Sequence, residues 1–298
     1  MTLRFHLLLL AFLASVPLSF AEEGPSPQQI AAMQKVMKAI GELQYQSGEV
    51  SLLGGKAKVV LTDEFRYLNE ADTRKVLVEI WGNPPELGST MGMIVEKGVN
   101  FLEGETWGAL LKWTPDGYVK DDDFASINFA DMLKQMREGS LEASKERERR
   151  GFGKMVMKDW AQQPHYDRAT HKLYWAKAFE VDGPELGLNY DIRVLGRHGI
   201  LEVSIISSME QFKTIEEKAP QILGMVGFTE GNRYEDYKPG DKTAAYGIGA
   251  LIAGGVLLKS GFFKVLLIGL LKFWKLGVVA VVACGAFIKR IVDGKKAR

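Results

Sequence analysis

Apolar and polar positions alternate most regularly in LNYDIRVLGRHGILEVSII, residues 188 to 206. Leu188, Tyr190, Ile192 and Val194 fall on one side of a strand, and Asn189, Asp191 and Arg193 on the other. Gly196 and Gly199 bracket Arg197-His198 as a turn. If those glycines pair, Val194 stands opposite Leu201, Ile192 opposite Val203 and Tyr190 opposite Ile205, a continuous apolar face. The same register sets Arg193 against Glu202 and Asp191 against Ser204. The pattern predicts a hairpin with Asp191 and Arg193 on its solvent face. Its tip, Arg197 and His198, is the candidate contact for a partner.

The period of two recurs in HKLYWAKAFEV, where Leu173, Trp175, Phe179 and Val181 share a face that Lys177 interrupts. TMGMIVEKG and TWGALLKWTPDGYVKDDD read as further strands, the latter a pair turning at Thr114-Pro115-Asp116-Gly117. EVSLLGGKAKVVL reads as two short strands about Gly54-Gly55. Helical spacing takes over in SPQQIAAMQKVMKAIGELQ, where Ile30, Met33, Met37, Ile40 and Leu43 form a stripe expected to face the core. A second helix is expected after Asn69, a good N-cap, ending at the Gly-Asn-Pro-Pro run. A third carries Phe129, Leu133 and Met136 inward, with a charged, solvated second half. A fourth holds Phe212, Ile215 and Ile222 inward, with Pro220 kinking or splitting it. The class predicted is α+β: an antiparallel β meander with packed helices, with a possible sub-boundary near residue 150.

Both ends of the chain change the picture. Residues 1–21 read as a secretory signal peptide, with Arg4, an apolar run from Leu7 to Val16, and Ser19 and Ala21 at signal-peptidase spacing. Residues 22–242 are then an exported domain. From Thr243 to Ile288 the chain is almost wholly apolar, and Thr243 to Phe263 alone would reach about 31 Å as a helix, against a hydrocarbon core of about 30 Å. Lys272 and Lys275 interrupt the following stretch, at about 2.5–3.5 kcal/mol each in mid-membrane. The reading is a membrane region at 243–288 with one or two hydrophobic helices and a basic tail at 289–298. Lys264, Lys272, Lys275, Lys289 and Arg290 are the candidate lipid-facing cations.

The net charge of +1 hides an asymmetry: 36 acidic against 28 basic residues from Glu22 to Lys242, and one against nine from Thr243 on. An acidic exported domain offers no electrostatic footprint for nucleic acid, and a basic membrane end suits anionic lipid. The one cysteine, Cys284, excludes an intrachain disulfide. His165 and His171 are six apart, matching neither the helical nor the strand spacing of a metal pair, and Asp121-Asp122-Asp123 lacks the alternation of a calcium loop and reads as a solvated turn. No catalytic, cofactor-binding or metal-binding residue is assigned, and no cofactor is expected.

The stretches GYVKDDD, KLYWAKAFEVDG, LNYDIRVLGRHGILEV and YKPGDKTAAYGIGALIAGG occur in this order along the chain. Together they resemble a bacterial family of membrane-anchored proteins known as domain of unknown function 2167. The resemblance implies an inner-membrane protein with its main domain in the periplasm, and brings no activity or functional residue with it. The leading expectation is a non-enzymatic envelope protein that meets membrane lipid and binds a protein partner. The alternatives are a membrane-active or transport-accessory protein working through its C-terminal helices, and a membrane-bound hydrolase using His165, His171 or His198 with a distant carboxylate.

Overall fold

The structure, a computed structural model, describes residues 26–83, 90–102, 106–182 and 186–254. The chain divides into two units, Met1–Ile252 and Ala253–Arg298, and the fold is that of the first. The signal-peptide reading over 1–21, the end of the Pro-Pro run and the apolar segment from 255 onward lie outside the described residues. So do Lys264, Lys272, Lys275, Lys289 and Arg290. Among the described residues no helix is long and apolar enough to cross a membrane.

The first half of the chain supplies α1 (Pro27–Gly41), β1 (Tyr45–Gln46), β2 (Glu49–Leu52), β3 (Ala57–Val60), β4 (Phe65–Asn69), α2 (Glu70–Arg74), β5 (Gly92–Glu96), β6 (Gly108–Thr114) and α3 (Phe129–Arg149). The second supplies β7 (Met155–Asp167), β8 (Lys172–Val181), β9 (Leu186–Leu195), β10 (Ile200–Ser208), α4 (Phe212–Met225), β11 (Val226–Phe228) and α5 (Ile248–Ala253). Eight strands form an antiparallel sheet in the order β1-β4-β5-β6-β10-β9-β8-β7, and β11-β3-β2 form a smaller one. The class is α+β with an antiparallel sheet, as the periodicity predicts.

The β9–β10 register is the expected one: Val194 faces Leu201, Ile192 faces Val203, Tyr190 faces Ile205, Arg193 faces Glu202 and Asp191 faces Ser204. The Gly196 N–H donates to the Gly199 carbonyl at 2.9 Å. The apolar side of this hairpin joins Ala109 and Leu111 of β6 and Phe65 and Tyr67 of β4, under the small sheet and Ile215, Ala219 and Ile222 of α4. α4 runs through Pro220 as one element. Asn69 caps α2 by accepting from the Asp72 N–H, worth about 1 kcal/mol, and the helix passes into a π-helical turn at Lys75–Ile80.

Three expectations change. β6 does not fold back on Gly117-Tyr118, because the longer and more apolar β10 takes its edge from Thr114 to Gly108. Tyr118 instead bridges Thr243 in parallel. α1 does not bury the Ile30-Met33-Met37 stripe, which is exposed; it packs Val36, Ala39, Ile40 and Leu43, an i, i+3, i+4, i+7 set, against Val76, Leu77 and Ile80. The two stripes share Ile40 and Leu43, and the one containing the small Ala39 permits the closer approach. Thr243 to Ile252, expected to open the membrane region, are folded onto the domain, with Ile248 and Ile252 in a core with Leu173, Trp175 and Leu195.

α3, capped by Asn128, lies along β7, the outer strand of the large sheet. Its buried Ser140 and Ser144 accept from the Met157 and Met155 N–H groups at 2.7 and 3.1 Å. The helix thereby satisfies strand groups that point away from β8.

Candidate functional site

Asp191 and Arg193 are not solvent-facing. On their side of the sheet the register places Leu110, Ser204, Asp191 and Trp175 in a row across four strands. Leu110 belongs to the core under α1, and Trp175 to the core that includes α5. The polar residues therefore occupy the seam between two apolar covers, and Asp191 is 1% exposed. Its Oδ2 accepts from Lys177 Nζ at 2.6 Å and Asn189 Nδ2 at 3.1 Å. Its Oδ1 accepts from Ser204 Oγ at 2.7 Å and Arg193 Nη2 at 3.3 Å. Burial pushes the Asp191 carboxyl up, but Lys177 and Arg193 outweigh it, by charge and with hydrogen bonds from Lys177 and Ser204, and hold it below the usual carboxylate range.

Arg193 continues the network. Its Nη2 reaches Glu202 Oε2 at 3.2 Å, its Nη1 donates to the Ile192 carbonyl at 2.9 Å, and its guanidinium lies 5.1 Å from the Trp175 ring centre. Glu202 also accepts from Thr114 Oγ1. Two cations and two anions balance, and both oxygens of the central carboxylate are doubly engaged. Such a group has neither a free lone pair for a substrate proton nor a raised pKa for general-base work.

The hairpin tip is likewise packed rather than free. Arg197 clamps Asp241 through Nε at 2.7 Å and Nη2 at 2.9 Å, its Nη1 donates to the Gly231 carbonyl at 3.2 Å, and its N–H donates to Asn232 at 3.0 Å. The Arg197 side-chain bond, then the Lys238 N–H, pull the Asp241 carboxyl down to about 2. Both tip glycines are required by close approach: a Cβ on Gly196 would sit 2.4 Å from the Phe228 ring, and one on Gly199 2.2 Å from the Thr114 carbonyl oxygen. His198, half-buried, lines a half-open depression of about 160 Å³ with Leu53, Lys56, Trp113, Phe228 and Asn232.

The three histidines of the domain go to separate places. His165 packs on Tyr174 at 5.0 Å, His171 on Tyr234 at 4.2 Å, and His198 on the depression. The Tyr166 hydroxyl donates to Asp121 Oδ2 at 2.9 Å and lies 3.0 Å from His171 Nδ1. A phenol has one proton, so that His171 nitrogen is the donor. Burial, then the bond to Asp121, push the Tyr166 phenol up. The acidic triplet is no solvated turn: Asp121 serves this chain of bonds, while Asp123 accepts from the Ile248 and Gly249 N–H groups at 2.9 and 3.0 Å, capping α5. Among the described residues no group of three His, Cys, Asp or Glu side chains is placed to hold a metal ion.

Sequence reasoning misses the partners more than the residues. Lys177, Asp241 and the Trp113, Phe228 and Lys56 walls carry little local signal, except that Lys177 is the one charge on an apolar strand face. No curated protein matches the chain in sequence. Among solved structures it is similar to cyanobacterial PsbP (CyanoP) from Synechocystis sp. PCC 6803, at 9% identity over 63% of this chain and 92% of that one, with a TM-score of 0.34. It is also similar to a mutant of the protein Mog1, at 14% identity over 61% and 92% with a TM-score of 0.30. The Saccharomyces cerevisiae Ran-binding protein Mog1p gives 14% over 61% and 85% with 0.28. These are distant likenesses and carry no functional argument. The family described as Protein of unknown function (DUF2167) matches residues 44–282, most of the chain and all of the hairpin, the depression and the α5 cap; the chain belongs to that family.

Proposed function

We propose that this is a non-catalytic binding protein of the bacterial envelope, with its domain in the periplasm and its C-terminal apolar segment in the inner membrane. The observation that supports this best is the saturation of the hairpin chemistry. Asp191 accepts four donors and Arg197 is clamped on Asp241, so the residues most suggestive of reactivity brace the fold and position the tip. Anchorage is supported by the way the domain grips the chain that enters the apolar segment. The Tyr118 N–H donates to the Lys242 carbonyl at 2.8 Å, the Ala244 N–H returns to Tyr118 at 2.8 Å, and Tyr246 donates to Asp116. These bonds hold the chain on the domain up to the last described turn before the apolar segment.

The test is made in cells producing the full chain. Membranes washed with alkaline carbonate should retain it, and protease added to spheroplasts should reach the domain. Release by carbonate would remove the anchor from this reading. A photoreactive benzophenone side chain placed at His198 should trap a reproducible adduct in intact cells, and its absence would remove the binding role.

A further inference from the structure

We infer that the depression beside the hairpin tip is a binding site for an apolar carboxylate of single-ring size. This rests on the binding role proposed above and gives it a ligand chemistry. Part of the lining is apolar: Trp113 and Phe228 meet edge to face with ring centres 5.8 Å apart, and Leu53 lines the depression with them. The rest of the lining is polar. It consists of Lys56, His198 and Asn232, and neither the Lys56 nor the His198 side chain has a hydrogen-bond or ion-pair partner among the described residues. The nearby Asp241 is already engaged by Arg197. In a domain with more acidic than basic residues, two unspent nitrogen donors lining one depression with two aromatic rings call for an anion joined to an apolar body. The volume of about 160 Å³ matches a cavity of about 150 Å³ that accepts benzene.

The site is also built in advance. Leu53 has φ 55°, one of two non-glycine residues with positive φ among those described, and Gly54 and Gly55 continue the left-handed turn with φ 64° and 91°. A leucine is held in that region only where its surroundings demand it. The surroundings are Thr229, whose N–H and Oγ1 donate to the Lys56 and Gly55 carbonyls at 3.0 and 2.8 Å. Asn232 ties itself to Thr229 by its own N–H at 3.0 Å and Nδ2 at 3.2 Å, and its carbonyl takes the Arg197 N–H. Three loops from distant parts of the sequence are thus cross-braced around one depression, and Lys56 and His198 come to it from two different loops of the three.

The experiment uses the full chain in a neutral maltoside detergent and follows the ¹⁹F NMR linewidth of 4-fluorophenylacetate. Broadening is expected, with 4-fluorophenylacetamide bound at least about tenfold more weakly because it keeps the ring and loses the charge. Lys56→Gln and His198→Gln should each weaken the acetate by several-fold, and together abolish broadening, with the unfolding temperature unchanged. Equal binding of acetate and acetamide, full binding by the double variant, or no broadening of either probe would overturn the inference. Two sources share this chemistry, a free small carboxylate and a protein C-terminus. A short peptide ending in phenylalanine with a free carboxylate, run beside its C-terminal amide, separates them. Displacement of the probe by the free-acid peptide far better than by phenylacetate assigns a protein C-terminus, and the reverse order assigns a small carboxylate; either supports the site. Loss of probe binding with His198 adducts retained in cells would sink the site and leave the broader binding role standing.

Discussion

Removing the Asp191 carboxylate should be among the most damaging single changes in the domain. Asp191→Ala leaves Lys177 without its 2.6 Å partner, leaves Ser204 and Asn189 without their acceptor, and leaves Arg193 with Glu202 alone. Breaking one side of a buried ion pair costs about 3–5 kcal/mol, most of it the stranded charge. The lower end applies here. The Lys177 side chain is 15% exposed and its stem can carry the ammonium toward water, while Arg193 keeps Glu202 at 3.2 Å. A loss of about 3 kcal/mol in a domain of this size lowers the melting temperature by about 6–12 °C. Adding Lys177→Met removes the stranded charge and should recover about half of the loss. Thermal unfolding of the full chain in neutral detergent, followed by tryptophan fluorescence, measures both. A shift below about 2 °C for Asp191→Ala, or a double variant less stable than the single, would show that charge balance is not what holds the seam.

Exchanging Arg193 and Glu202 should fail to restore stability, because the new Glu at 193 would face Asp191 and lose the Trp175 ring. We expect Arg193→Glu/Glu202→Arg to remain at least about 2 kcal/mol below the parent by urea midpoint, and full recovery would return Arg193 to an ordinary surface pair. Asp123→Ala should cost about 1 kcal/mol and speed amide exchange at Ile248 and Gly249 selectively; uniform exchange across the domain would argue against a cap. Asp241 has its folded pKa depressed from 3.8 to about 2. Its contribution is therefore fully present above the unfolded value and lost as pH falls from about 4 through about 2. Stability of the parent and of Asp241→Asn should converge over that interval, and a constant gap between them would refute the linkage.

The hairpin register was legible because the period of two sets which side chains share a face and the Gly196–Gly199 turn sets which residues pair. The environment of its other face was not. Alternation says which residues oppose the core beneath α4, but not that a second apolar layer lies on the far side. Lys177 held the clue: a lysine between Trp175 and Phe179 implies an acid within reach on the neighbouring strand, and Asp191 stands diagonally across from it. The depression was illegible for a different reason. Leu53, Trp113, His198 and Asn232 come from four separate turns and strands, and no local pattern reports their meeting. The failed Gly117-Tyr118 hairpin shows the same limit. Good turn chemistry permits a reversal, but a distant strand with more apolar contact decides who pairs with β6.

The two serines of α3 bear on how copies of this domain avoid one another. A thirteen-residue outer strand with free N–H groups is a template on which another chain could polymerise. Here the N–H groups of Met155 and Met157 are taken by the helix that immediately precedes the strand in sequence. Register shifts between Met157 and Asp159, Trp160 and Gln162, and Gln162 and His165 break the regular spacing of the strand further along. The closure is made by a neighbour only a short turn away, so it carries little loop-closure entropy and can form as soon as the strand does. At Met155 and Met157 the β7 side is thereby occupied by the helix instead of being offered to a foreign strand.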